Sequence, residues 1–156
     1  MDFYKPHQPP IPPSGRVLGL DVGAKRVGVA LSDSAQTTAL PKTPLPRRWQ
    51  ELKAGIVALA PAGVVLGEPR HMSGAAGKEV QSVADLAALI AKELNLPVAL
   101  MDERLTSHAA EAAFFEQRLA GSRQTRASKA ESVGQVDSAA AALLLQTWLE
   151  ARRNGR

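Results

Sequence analysis

Cysteine is absent from this chain. Without thiols there is no disulfide scaffold and no thiolate zinc site, and the composition fits a reducing cytosol, so a cytoplasmic location is expected. Histidine is scarce: His7, His71 and His108 are the only three, which argues against zinc. No apolar run reaches the roughly eighteen residues that a membrane span needs. The N-terminal stretch MDFYKPHQPPIPPSG lacks the apolar centre of a signal peptide. No segment repeats, and no Walker A phosphate loop occurs.

What is present suits one packed domain. Hydrophobic residues make up 45% of the 156, enough for a core that folds alone. Prolines crowd the stretch before Arg16. Residues 1–15 are therefore expected to form a flexible, unpacked arm, and 16–153 a single domain. The net charge is +4 and the pI about 9.8. That balance serves solubility, or it suits an anionic partner such as nucleic acid. The basic residues gather at Lys25-Arg26, at Arg47-Arg48, across Arg123, Arg126 and Lys129, and at Arg152-Arg153.

RVLGLDV (16–22) and RVGVALS (26–32) read as adjacent strands joined by a glycine-containing turn. AQTTALPKTPLPR is broken by proline and has room for one short edge strand. A helix is expected from about Trp49 to Ala60, and AGVVLGEP is a short buried strand that stops at Pro69. RHMSGAAG is a glycine-rich loop. Val80, Val83, Ala87, Ile90 and Leu94 recur at helical spacing up to NLP. PVALM is a strand ending at Asp102-Glu103. Thr106 or Ser107 caps a helix to about Ala120. The polar, basic stretch 121–135 has no hydrophobic period and reads as a mobile loop. The last helix, DSAAAALLLQTWLEARR, is expected to hold Asp137 in its first turn, where the helix dipole favours a carboxylate. Strands first, then strands alternating with helices, predict an α/β sheet covered on both faces.

Three carboxylates occupy comparable places. Asp21 interrupts an apolar strand, Glu103 follows a later strand, and Asp137 opens the last helix. Each has an ordinary explanation. Asp21 forms a turn, Glu103 pairs with Arg104 on the surface, and Asp137 is a first-turn helix residue. The alternative is one shared site, because functional groups of α/β sheets gather at strand ends. Three close carboxylates repel one another, and divalent cations relieve that repulsion. Mg²⁺ and Mn²⁺ prefer oxygen ligands. Two such ions about 4 Å apart activate water and stabilise the leaving oxygen in phosphodiester hydrolysis.

DVGAKRVGVALSD, MDERLTS and VDSAAAALLLQTWL, in that order, resemble the YqgF (RuvX) family. The resemblance spans roughly Arg16 to Leu149. It implies an RNase H-like fold related to the resolvase RuvC: a central mixed sheet of five strands, the first three antiparallel, flanked by helices. It places Asp21, Glu103 and Asp137 on the family's metal-binding, catalytic carboxylates, with Mg²⁺ or Mn²⁺ as cofactor. It implies a nuclease that trims the 5′ end of pre-16S ribosomal RNA in ribosome biogenesis. Cleavage of Holliday junctions is the alternative and calls for a dimer, since two strands are cut symmetrically. A nucleic-acid-binding protein with a vestigial site is a third reading. Actin-like ATPases share the Asp-x-Gly strand turn, but that fold closes two such domains over a nucleotide. The expected partner is nucleic acid, RNA rather than branched DNA, and the chain is a monomer or homodimer.

Lys25 and Arg26 match the family's basic pair, as phosphate contacts or as partial neutralisers of the carboxylates. The chain departs from the pattern at GEPRHMSG, where the family commonly has GLPLNMDG. Glu68 there is a fourth metal ligand or, as favoured, a loop residue, Arg70 is a nucleic-acid contact, and His71 is a substrate contact or bystander. Gln135 stands where the family often has lysine, so Arg126 or Lys129, with Arg123, supplies the phosphate contact from the loop.

Overall fold

The computed structural model describes residues 10–68, 83–102 and 138–154. Among them are the strands β1 (Val17–Val22), β2 (Arg26–Ser32), β3 (Ala39–Pro46), β4 (Gly63–Glu68) and β5 (Val98–Asp102), and the helices α1 (Trp49–Leu59), α2 (Val83–Leu94) and α3 (Ala139–Arg153). The strands form one sheet in the order β3-β2-β1-β4-β5. β1, β2 and β3 are antiparallel neighbours, while β1, β4 and β5 run parallel. This is the five-stranded mixed sheet that the resemblance implies.

Both faces of the sheet are covered, so its inner strands are apolar on both sides rather than alternating with polar residues. Leu18, Leu20, Val29, Val64 and Leu66 pack under α1 and α2 through Leu52, Ile56, Leu86 and Ile90. Val17, Ala30, Val65 and Met101 pack under α3 through Ala141, Ala142, Leu144, Leu145 and Leu149. The spacing Val83, Ala87, Ile90 does form the buried stripe of α2, with Leu94 partly buried at its end. α3 crosses β1 at Gly19. A Cβ there would lie 2.8 Å from the Leu145 Cβ and 3.2 Å from the Ala141 carbonyl oxygen. The glycine thus sets how closely the helix approaches the sheet.

Two expectations are corrected. β3 is eight residues long and contains Pro41, Pro44 and Pro46. It is an edge strand, so the missing N–H groups cost no ladder bond on the outer side. The arm is not loose as far as residue 15. Ile11 is buried in the core under α3 and packs against Gly63. The Gln36 side-chain amide donates to the carbonyls of Pro12 and Gly15. The Arg152 guanidinium donates to the Ile11 carbonyl and to Gln36 Oε1, and lies 4.9 Å from the centre of the Trp148 ring. A proline-rich composition lowers the entropy of an extended segment, and here Ile11, the Gln36 amide and Arg152 together seat it. The last helix, α3, starts at Ala139 with Ser138 at its N-cap; Asp137, expected in its first turn, lies outside the described residues.

Candidate active site

Asp21 is the penultimate residue of β1 and pairs with Gly28 of β2. It alternates with Val17 and Gly19, so it belongs to the face that α3 covers. Its side chain is half-buried, and its carboxylate has no hydrogen-bond or ion-pair partner among the described residues. A carboxylate partly removed from water and left unpaired is destabilising unless a cation completes it.

Beyond Asp21 the chain turns sharply. The Gly23 N–H donates to the Arg26 carbonyl at 2.8 Å. A Cβ on Gly23 would meet that oxygen at 2.9 Å, which is why glycine follows so soon after the aspartate. The turn leaves Lys25 and Arg26 exposed next to Asp21. Arg47, just past β3, donates from Nη1 to the Ala24 carbonyl at 2.9 Å and braces the turn. The Lys25-Arg26 and Arg47-Arg48 clusters, separate in sequence, therefore share one corner of the molecule. Sequence reasoning missed this role of Arg47, since nothing local marks an arginine as the brace of a turn 23 residues away.

The parallel strands bring their carboxyl ends to the same edge of the sheet. Register runs Leu20↔Leu66 between β1 and β4, and Leu66↔Leu100, Gly67↔Met101 and Glu68↔Asp102 between β4 and β5. One row beyond Leu20, Asp21 is level with Gly67 and Met101. Two strand spacings, roughly 10 Å, separate the backbones of β1 and β5 there. The residue between them is a glycine, so β4 places no side chain on that row. Asp102 alternates with Val98 and Leu100 and belongs to the opposite face, that of α1 and α2.

Glu103 and Asp137 lie outside the described residues, as do Arg70, His71, Arg123, Arg126 and Lys129. Glu68 is the last residue of β4, beside Asp102 in register, so its backbone belongs to a strand and not to a loop. The immediate neighbours of the two undescribed carboxylates are in place. Asp102, before Glu103, ends β5 at the edge that carries Asp21. Ser138, after Asp137, is fully buried against β2 and β3. Its Oγ accepts the Val29 N–H at 2.9 Å and donates to the Lys42 carbonyl at 2.7 Å. Among the described residues no three His, Cys, Asp or Glu gather into a metal-binding group. Asp21 is the one member of the expected ligand set whose surroundings are described, and a carboxylate without a partner among the described residues fits a hard, oxygen-seeking cation.

A family model described as RuvX, Holliday junction resolvase, matches residues 15–151. The chain belongs to the RuvX family. Among its RuvX relatives is a protein of Acaryochloris marina named "Putative pre-16S rRNA nuclease", 38% identical over 138 residues, which are 85% of this chain and 90% of that one. Among solved structures, the fowlpox virus Holliday junction resolvase shares the fold with a TM-score of 0.58 at 16% identity, over 87% of this chain and 99% of its own. T. thermophilus RuvC in complex with Holliday junction substrate shares it with a TM-score of 0.53 at 15% identity, over 90% and 96%. These neighbours establish an RNase H-like, RuvC-type architecture for the RuvX chain. Membership and the nuclease-named relatives make it a hydrolase of the nuclease class, with nucleic acid as its substrate.

Proposed function

We propose that this chain is a divalent-metal-dependent endonuclease that trims structured RNA, with the 5′ end of pre-16S ribosomal RNA as substrate, in the cytoplasm. The observation that carries the reading is Asp21: a half-buried carboxylate without a partner among the described residues, at the sheet edge where β4 ends at Glu68 and β5 at Asp102, the residue before Glu103. Asp21, Glu103 and Asp137 would hold Mg²⁺ or Mn²⁺, which when bound supplies an activated water and stabilises the leaving oxygen. The rest falls to the protein. Lys25 and Arg26 on the braced turn bind backbone phosphates and orient the scissile strand toward the carboxylates. Arg70, Arg123, Arg126 and Lys129 extend that surface. The pre-16S substrate is supported by the name of the A. marina relative. The description of the family as a resolvase supports a second substrate, the four-way DNA junction, cut by a homodimer.

One assay decides among these readings. Labelled RNA carrying the pre-16S 5′ end and a labelled four-way junction are each incubated with the parent and with Asp21→Asn, in EDTA, Mg²⁺, Mn²⁺ or Ca²⁺. The parent is expected to cut the RNA in Mg²⁺ or Mn²⁺ only, with Ca²⁺ a poor substitute. Asp21→Asn is expected to bind nucleic acid as the parent does and to lose cleavage by orders of magnitude. Cutting of the junction alone transfers the assignment to the resolvase reading. Full activity in excess EDTA, or in Asp21→Asn, refutes the metal site.

A further inference from the structure

Arg47 and Arg48 follow β3, and their side chains do different things. Arg47 is half-buried, and its Nη1 donates to the Ala24 carbonyl. Arg48 faces water, with 77% of its side chain exposed. Among the described residues its guanidinium meets Glu51, at 3.7 Å across one turn of α1, and Glu51 is 55% exposed itself. An ion pair so open to water is worth little, so it does not hold the guanidinium against a better partner. The backbone beneath Arg48 is fixed. The Leu52 N–H donates to the Arg48 carbonyl at 2.9 Å and starts α1. Leu45 lies so close under the helix that a Cβ on Gly55 would stand 2.6 Å from both of its methyls. A cation on a fixed base binds with less ordering cost than one on a loose chain.

The sheet decides where this corner lies. β1, β2 and β3 are antiparallel neighbours, so the end of β1, the start of β2 and the end of β3 meet at one end of the sheet. The row Val22, Val27, Leu45 crosses all three strands there, beside a bulge between Val27 and Val29, and Arg26 pairs with Pro46. Asp21 is one residue back along β1. Two strand spacings, roughly 10 Å, separate the backbones of β1 and β3. We infer that the β3–α1 corner continues the phosphate-binding surface of the Lys25-Arg26 turn: Arg48 contacts a substrate phosphate, and Arg47 is the positioning residue that ties the two parts together. The inference rests on the proposed reading of Lys25 and Arg26 as phosphate contacts. The guanidinium of Arg48 offers a planar fork that matches a phosphate, and a phosphate replaces the weakly held Glu51. The substrate strand thus runs from Asp21 over the turn to the start of α1.

The test is binding of a labelled single-stranded RNA in EDTA, so that the metal site plays no part, over about 50 to 200 mM salt. The parent is compared with Lys25→Ala, Arg48→Ala and Arg153→Ala, each well below its melting temperature. Arg48 is exposed and makes no side-chain capping bond, so its loss leaves the fold in place. Arg153 is the control: its removal takes the same charge from the opposite end of the sheet, where it donates to the Thr37 carbonyl. Lys25→Ala and Arg48→Ala are each expected to reduce the slope of log K against log salt by about 0.7, and Arg153→Ala to leave it parental. Arg47→Ala is expected to weaken binding alone but to add nothing to the Lys25→Ala, Arg26→Ala double variant, because it acts through that turn. A further loss in the double variant overturns the positioning role. An equal effect of Arg153→Ala shows net charge rather than a corner, and overturns the inference. If Lys25→Ala reduces the slope and Arg48→Ala does not, only this inference fails. If neither does, the reading of the turn as a phosphate contact fails and this inference with it.

Discussion

Gly19→Ala is a single methyl added where α3 lies closest to the sheet. Its Cβ would stand 2.8 Å from the Leu145 Cβ and 3.2 Å from the Ala141 carbonyl oxygen. Carbon atoms in contact prefer about 3.5–4.0 Å, so the helix must retreat by nearly 1 Å or the strand must bend. Overpacking of this kind costs about 1–3 kcal/mol. The lower entropy of the unfolded alanine chain returns about 0.4–1 kcal/mol. The net loss is about 1–2 kcal/mol. At about 2–4 °C per kcal/mol for a chain of this size, Tm should fall by roughly 2–8 °C. Leu145→Ala should not relieve the clash, because the colliding atom is the Cβ that alanine retains. The double variant should melt below either single one, since truncating a fully buried leucine costs several kcal/mol more. The assay is urea or thermal unfolding of the three variants beside the parent. A Gly19→Ala protein as stable as its parent, or a double variant more stable than Gly19→Ala, would refute the close-approach account.

Other outcomes follow from the same coordinates. Asp33 should titrate below the ordinary 3.8, held there chiefly by the Thr37 hydroxyl and then by the Thr38 N–H, and Glu93 below 4.5, held by Lys53 foremost and by the Trp49 indole N–H. Both folded-state values are depressed, so their contribution to stability is fully present above the unfolded values and fades as pH falls from about 4.5 through the folded midpoints; carboxyl-carbon NMR midpoints at or above the ordinary values would contradict it. Arg152→Ala should loosen residues 10–15 and lower stability by about 1–3 kcal/mol, seen as faster proteolysis of the arm and a changed Trp148 emission; an arm as resistant as the parent's would show that Ile11 and the Gln36 amide hold it without the arginine. Lys25→Ala should reduce the slope of log K against log salt for single-stranded RNA by about 0.7, and the combined Arg123, Arg126 and Lys129 to alanine variant by more; an unaltered slope removes those residues from the interface.

Much of the succession of strands and helices along the chain was legible because its signals are local. Two apolar runs flank a turn whose glycine is forced by the Arg26 carbonyl, and the stripe of α2 repeats at helical spacing. Asp21 was conspicuous because a carboxylate in an apolar strand conflicts with its surroundings, a conflict that functional sites tolerate. β3 was expected at the edge but too short, because Pro41, Pro44 and Pro46 read as breakers although an edge strand tolerates them on its outer side. The arm was expected to be loose because prolines crowd it; the residues that meet Ile11 lie near positions 63 and 152.

By itself, then, the sequence determined the periodicities, the turns and the chemical kind of the proposed site: oxygen donors beside a basic pair, with no thiolate available. These depend on residues within a few positions of one another. The tertiary structure alone decided which strand ends share an edge, which face Asp21 takes, and that Ser138 spends its hydroxyl on the sheet and not on its helix. Those outcomes join residues about a hundred positions apart, Val29 with Ser138 and Lys42 with Ser138. No local preference encodes such a pair. It arises when the sheet closes, leaves one donor and one acceptor unmatched at a bulge, and a buried hydroxyl is the group within reach to satisfy both.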